Sequence, residues 1–216
     1  MDFQVAQIFP LALYSGKVDL SDEECHVVSD LLKYEPNATN DNELSVNRQL
    51  QLVQEKNLKN IHFKIQEHVD NLVYNVYRVC RENIKASIVG SWAIKIGPGQ
   101  GQIEHAHKNS MISGVLYIHN EPNSGAIVFN RGKPYFDMAV EPPYQDNTIF
   151  NSSITTLNPV QGDIVMFPSY LNHSVLPNTS DKSRCSIAFD VFLEGNRRAG
   201  RSQFDRSIHV QSITVD

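Results

Sequence analysis

The sequence predicts a mainly β protein with some α, a double-stranded β-helix (jelly roll) braced by N-terminal helices. Three observations lead there. Apolar residues recur at helical spacing up to about residue 84, and from residue 86 to about 193 the period becomes extended. Within that extended part, eight short apolar runs alternate with turn residues, the pattern of a small double-sheet barrel. Finally, 216 residues at 41% hydrophobic content suffice for one full core and are too few for two large ones. A single domain is therefore expected over 1–216, with a lead strand and supporting helices in 1–84, the barrel in 85–193 and an extension in 194–216.

Taken in order, Phe3, Val5, Ile8, Phe9, Leu11, Leu13 and Tyr14, with Pro10 among them, suggest an extended lead-in or edge strand. Ser21 with Glu24 forms a capping-box pattern, and Val27, Val28, Leu31 and Leu32 give the apolar stripe of a short helix that ends before Pro36. A polar loop follows over 37–42. Leu58, Ile61, Ile65, Val69, Leu72, Val73 and Val76 then predict a helix of five or six turns with one face on a sheet, which leaves His62 and His68 as ordinary helix residues. Strands are expected at 85–96, 102–107, 112–119, 126–130, 153–157, 163–168, 172–176 and 184–192. Residues 131–151 interrupt them with Pro134, Pro142 and Pro143, and carry Tyr135, Phe136, Met138, Tyr144 and Phe150. That composition and length suit a mobile substrate lid, and equally a loop packed permanently into the core or a dimer contact.

The formal charge of −5 argues against a nucleic-acid partner, which would need clustered cations. Arg197, Arg198, Arg201 and Arg206 form the one basic cluster and read as a solvated C-terminal segment. Cys25, Cys80 and Cys185 are odd in number and widely spaced, so neither a disulfide framework nor a zinc ribbon is expected, and a reducing cytoplasm fits. No run approaches the ~18 apolar residues of a membrane span, and no basic-then-apolar leader opens the chain.

Chemistry concentrates in a few residues. His105 and His107, at i and i+2 on a strand, would point the same way roughly 7 Å apart, near enough for both imidazoles to reach one metal ion. His173 suits a late antiparallel strand that returns beside the first and supplies a third ligand. Three protein ligands leave coordination positions open, as a catalytic metal requires. Arg184 begins the last strand, and Ser186 shares its face. A guanidinium with a neighbouring hydroxyl is suited to hold a carboxylate in a buried pocket, although a salt bridge to Asp181 would also account for Arg184. Tyr117, on the strand running back from His107, could reach the same carboxylate or serve as a core tyrosine.

The stretch from His105-Ala-His107 through Ser113-Gly-Val-Leu-Tyr117-Ile118, the run Gly125-Ala-Ile-Val-Phe129, and Pro159-Val-Gln-Gly-Asp-Ile-Val-Met-Phe-Pro168 through His173 to Arg184-Cys-Ser186 resemble one family. That family is the non-haem iron, 2-oxoglutarate-dependent oxygenases, in a small branch found in bacteria and phages. The resemblance implies Fe(II) held by His105 and His173 as first and distal ligands, with 2-oxoglutarate as cosubstrate, its far carboxylate clamped by Arg184 and Ser186. It also implies hydroxylation of an unidentified substrate, a small molecule or a protein side chain, with conversion of 2-oxoglutarate and O2 to succinate and CO2. The location implied is cytoplasmic, the host's cytoplasm if phage-encoded, with a homodimer left open. Position 107 departs from the pattern, because histidine stands where the superfamily has a carboxylate. His107 itself, or Asn109 or water beside a single histidine, would complete the site. Two other readings compete: a cupin-type metal enzyme, whose expected glutamate is missing at Met111 and Ile112, and a metal-free jelly-roll binding or structural protein.

Overall fold

The structure, a computed structural model, describes residues 10–32, 45–47, 53, 56–132, 143 and 145–195. Helix α1 (Asp22–Leu31) starts where the capping box places it. The Ser21 hydroxyl accepts the Glu24 amide at 3.2 Å, and the Glu24 carboxylate accepts the Ser21 amide at 2.8 Å. That carboxylate also receives the Lys64 ammonium at 2.8 Å, which ties α1 to helix α2 (Lys59–Asp70). A 3₁₀ turn at Lys56–Leu58 leads into α2, and a π-helical segment at Asn71–Val76 continues it. The long helix read from the apolar spacing is present, with both ends wound differently from an α-helix.

Ten strands follow in chain order: β1 (Tyr14–Lys17), β2 (Ser45–Asn47), β3 (Ile84–Ile96), β4 (Gln102–His105), β5 (Ile112–His119), β6 (Ile127–Asn130), β7 (Ile154–Leu157), β8 (Asp163–Pro168), β9 (Asn172–Val175) and β10 (Arg184–Gly195). They form a six-stranded sheet in the order β1-β8-β5-β10-β3-β2 and a four-stranded sheet in the order β4-β9-β6-β7, with every described pairing antiparallel. From β3 to β10 the chain alternates between the two sheets except at β6 and β7, which is the topology of a jelly roll. All eight barrel strands lie where the extended runs placed them. The edge strand of the N-terminal region sits at Tyr14–Lys17, later than most of the apolar run that suggested it, and residues 1–9 lie outside the described part. Also outside it are the 37–42 loop, most of the 131–151 segment with Tyr135, Phe136, Met138 and Tyr144, and the C-terminal arginines.

The six-stranded sheet is buried on both faces. On its outer face Leu116, Ile118, Ile164, Met166, Ile187, Phe189 and Val191 pack on Ile61, Ile65, Val69 and Leu72 of the helices. The inner face supplies Tyr117, Val165, Phe167, Ile94, Ile96 and Ala188, which meet Ile127, Phe129 and Val175 of the smaller sheet. Successive strand residues take opposite faces, so both cores come from the same strands. Against this apolar background the polar residues on the inner face, Ser113, Arg184, Ser186 and Asp190, stand out. Burying them costs free energy unless each finds a partner.

The outer core is tight around Gly114, which pairs with Phe189 across β5 and β10; a methyl group at Gly114 would overlap the Phe189 ring. Phe189 is fully buried, so its ring has nowhere to move. Gly114→Ala is expected to lower stability by about 1–3 kcal/mol, read as a lower denaturation midpoint with an unchanged slope.

Candidate metal centre

Strands β4 and β9 are neighbours in the smaller sheet, and their register sets His105 directly opposite His173. Their ring centroids lie 4.3 Å apart. The strand expected over 102–107 ends at His105, so His107 lies beyond it. His107 reaches the cluster by another route. Its backbone amide donates to the Ser169 carbonyl at 2.9 Å, and Asn109 takes a left-handed turn (φ 62°) that returns the chain to β5. The His107 ring stands 5.4 Å from that of His105 and 5.2 Å from that of His173. One ligand nitrogen from each of the three falls within 4.8 Å of the others, so the group could hold a metal ion.

The hydrogen bonds decide which nitrogen faces the centre. His105 Nδ1 lies 2.9 Å from the Ile103 carbonyl, His173 Nδ1 lies 3.0 Å from the Leu171 carbonyl, and His107 Nδ1 lies 2.7 Å from a carboxylate oxygen of Asp190. Each of these partners only accepts, and the Ser113 hydroxyl, also 3.0 Å from His107 Nδ1, gives its proton to Asp190 at 2.6 Å, so each Nδ1 carries its own proton. The Nε2 of His107 and of His173 is then left with its lone pair for a metal, that of His105 accepts the Gln102 amide at 3.3 Å and would exchange it for a metal, and an outer acceptor fixes each ring's orientation. Burial also pushes the His173 pKa down to about 4, against the opposing bond to the Leu171 carbonyl, so that ring is neutral at pH 7. Phe167 contacts His173 edge-on at 4.6 Å and Trp92 lies 5.6 Å from His107, giving the cluster an apolar wall.

Arg184 is buried at the start of β10 with 2% of its surface exposed. Its Nη1 donates to the Gly125 carbonyl at 2.8 Å, and its Cζ lies 4.7 Å from the Tyr117 ring centroid. Gly125 has a φ of 94° and approaches the Leu176 carbonyl too closely to admit a side chain, so glycine is needed to aim its own carbonyl at Arg184. The salt bridge to Asp181 is not made. No carboxylate partner for Arg184 occurs among the described residues, and Arg184 Nε and Tyr117 Oη are both buried without a hydrogen-bond partner. Ser186, also buried, follows two residues on and sits opposite Tyr117 in the register. Two unpartnered polar atoms beside a buried cation make a cradle that fits a carboxylate.

Several residues of this region escape a reading of the sequence: Asp190, the serines Ser110, Ser113 and Ser169 around it, Trp92, and the Gly125 carbonyl. For Asp190 a signal existed. It continues the two-residue series of Arg184 and Ser186 along a strand that is otherwise nearly all apolar.

Comparison with known proteins agrees with this geometry. The family model described as "Putative 2OG-Fe(II) oxygenase" matches residues 90–190. Among solved structures, the non-heme alpha-ketoglutarate-dependent carbocyclase SnoK from nogalamycin biosynthesis superposes with a TM-score of 0.60 at 14% identity, covering 84% of this chain and 79% of that one. The epimerase SnoN in complex with Fe3+, alpha-ketoglutarate and nogalamycin RO gives 0.58 at 10% identity over 95% and 92% of the two chains. A prolyl-4-hydroxylase from Pseudomonas putida gives 0.52 at 12% identity over 84% and 92%. None of the curated proteins matches the chain. No helix among the described residues is long and apolar enough to cross a membrane. These likenesses establish the fold, and the segment that matches the family of 2-oxoglutarate- and Fe(II)-dependent oxygenases, 90–190, contains His105, His107, His173, Arg184 and Ser186.

Proposed function

We propose that the protein oxidises a small organic molecule, with Fe(II) held by the Nε2 atoms of His105, His107 and His173 and with 2-oxoglutarate anchored through its distal carboxylate by Arg184, Ser186 and Tyr117. The observation that carries this reading is the buried Arg184, whose Nε lacks a partner beside the equally unpartnered Tyr117 hydroxyl. A guanidinium buried without an anion is costly, and a dicarboxylate cosubstrate removes that cost on binding. Burial lowers the pKa of Arg184, yet guanidinium stays charged at any working pH, so the clamp is permanently cationic. Small residues between the two ends support the geometry. The inner face of β10 runs from Arg184 and Ser186 through Ala188 to Asp190 beside His107, so clamp and metal ligands lie along one strand row with a small side chain between them.

Iron with 2-oxoglutarate supplies the activation of O2 and the oxidation of a substrate carbon, with succinate and CO2 as coproducts. This chain's own residues do the rest. The three imidazoles leave positions open for cosubstrate and oxygen, Phe129, Phe167 and Trp92 keep water from the centre, and Arg184 fixes one end of the cosubstrate. A small-molecule substrate is supported by SnoK and SnoN, whose names place them in the biosynthesis of a small molecule. The test is mass spectrometry of a cell extract incubated with the enzyme. Oxidised products that depend on 2-oxoglutarate should appear in the low-mass fraction, and oxidation confined to the protein fraction would refute the proposal.

Substitutions separate the two halves of the site. Removing a buried, hydrogen-bonded charge partner costs about 2–5 kcal/mol, so at about 1.4 kcal/mol per tenfold Arg184→Ala should weaken 2-oxoglutarate binding roughly 30-fold or more. Calorimetry on the Mn(II)-loaded protein would show this, with Mn(II) affinity unchanged. Arg184→Lys should rescue little, since an ammonium does not reproduce the two-pronged guanidinium. His173→Ala should have the opposite profile, with metal lost at stoichiometric concentrations as measured by elemental analysis after gel filtration.

A further inference from the structure

Three neutral imidazoles bring no negative charge to a divalent ion, unlike the common arrangement of two histidines and a carboxylate. The charge is nonetheless close by. Of the three rings, His105 and His173 donate their Nδ1–H to neutral backbone carbonyls, whereas His107 donates to the Asp190 carboxylate at 2.7 Å. That carboxylate is held from several sides at the same oxygen. Ser113 Oγ donates to Asp190 Oδ1 at 2.6 Å and Ser110 Oγ at 3.2 Å, while Ser169 Oγ braces both serines at 2.9 Å and 2.6 Å. Ser113 and Ser169 are fully buried, and the Asp190 side chain is only 16% exposed, so this cluster is built into the fold and is no solvated surface pair.

We propose that Asp190 is the carboxylate of this metal centre, placed one residue behind the metal, where it positions His107 and raises the donor strength of its Nε2. The inference rests on His107 being a ligand, as in the reading above. Two physical effects follow from the contact. A group that only accepts hydrogen bonds locks His107 in the tautomer with Nε2 free, and the serine-held geometry locks the ring's rotation. A carboxylate that draws the Nδ1 proton toward itself also leaves more electron density on the ring, which a backbone carbonyl does far more weakly. His107 then becomes the strongest of the three donors, and part of the negative charge reaches the metal through its imidazole. Asp190 touches neither metal nor cosubstrate in this account. It acts through His107.

Asp190→Asn keeps the shape and an accepting oxygen while removing the charge, so it is the informative variant. With the full chain and Fe(II) alone under anaerobic conditions, competition with a chelator should show Fe(II) affinity about tenfold to 100-fold weaker than wild type. The Fe(III)/Fe(II) midpoint potential, followed optically, should move upward because the oxidised ion loses more stabilisation than the reduced one. Wild-type values for either quantity would overturn the role of Asp190 and leave it as a brace for the serines. His173→Ala measured alongside distinguishes the two levels. If it loses the metal while Asp190→Asn does not, only the present inference fails, and if it binds like wild type the three-histidine reading itself fails. Should Asp190→Asn not fold, nitrogen and proton NMR of wild-type protein loaded with Zn(II) decides the matter. The His107 Nδ1–H resonance is expected well downfield of those of His105 and His173, and coincident resonances would contradict the proposal.

Discussion

The two-residue period of β10 is the constraint on which the rest of the molecule depends. This strand lies inside the six-stranded sheet between β3 and β5, with helices against one face and the smaller sheet against the other. Its outward residues, Ile187, Phe189 and Val191, are fully buried and anchor the helical layer. Its inward residues, Arg184, Ser186, Ala188 and Asp190, form one row that starts at the proposed clamp and ends behind His107. A slip of one residue would send the charged row into the helices and the apolar row into the site, at a cost in buried, unpaired charge that the small net stability of a domain could not absorb. The register of the fold and the chemistry of the site are thus fixed together.

The smaller sheet does the complementary work. Pairing of β4 with β9 sets His105 against His173, although they are distant in sequence, and pairing of β6 with β9 places Phe129 beside the same histidine. His107 is brought in by a loop whose amide bonds to Ser169, so the third ring hangs from the junction of the two sheets. A centre assembled across both sheets moves only if the sheets move, which suits groups that must hold a metal and a cosubstrate in fixed relation.

Much of the fold was legible because the eight strands are short, apolar and separated by turn residues, and because Ser21 and Glu24 are local signals read without any tertiary knowledge. The three histidines and Arg184 were legible as residue types that rarely sit in barrel strands without a partner. What escaped was non-local. Whether Arg184 met Asp181 or a pocket depended on Gly125 and Tyr117, which reach it from the loop before β6 and from β5. The end of β4 at His105 depended on a backbone bond to Ser169, and Asp190 meets His107 from 83 positions away in the chain. Only the antiparallel register of β10 against β5 brings that aspartate next to Ser113 and so to His107. The family match over 90–190 and the cradle at Arg184 favour the oxygenase reading over the cupin and metal-free ones.

The central claim is that metal and 2-oxoglutarate occupy one pocket, joined at the three histidines and anchored at Arg184. Anaerobic optical titration tests it most directly, since a metal-to-ligand charge-transfer band arises only when the keto acid chelates the iron. The account predicts a weak visible band when Fe(II) and 2-oxoglutarate are both present, absent with either alone and lost in His173→Ala. Fe(II) and 2-oxoglutarate each binding the protein without producing that band would contradict it.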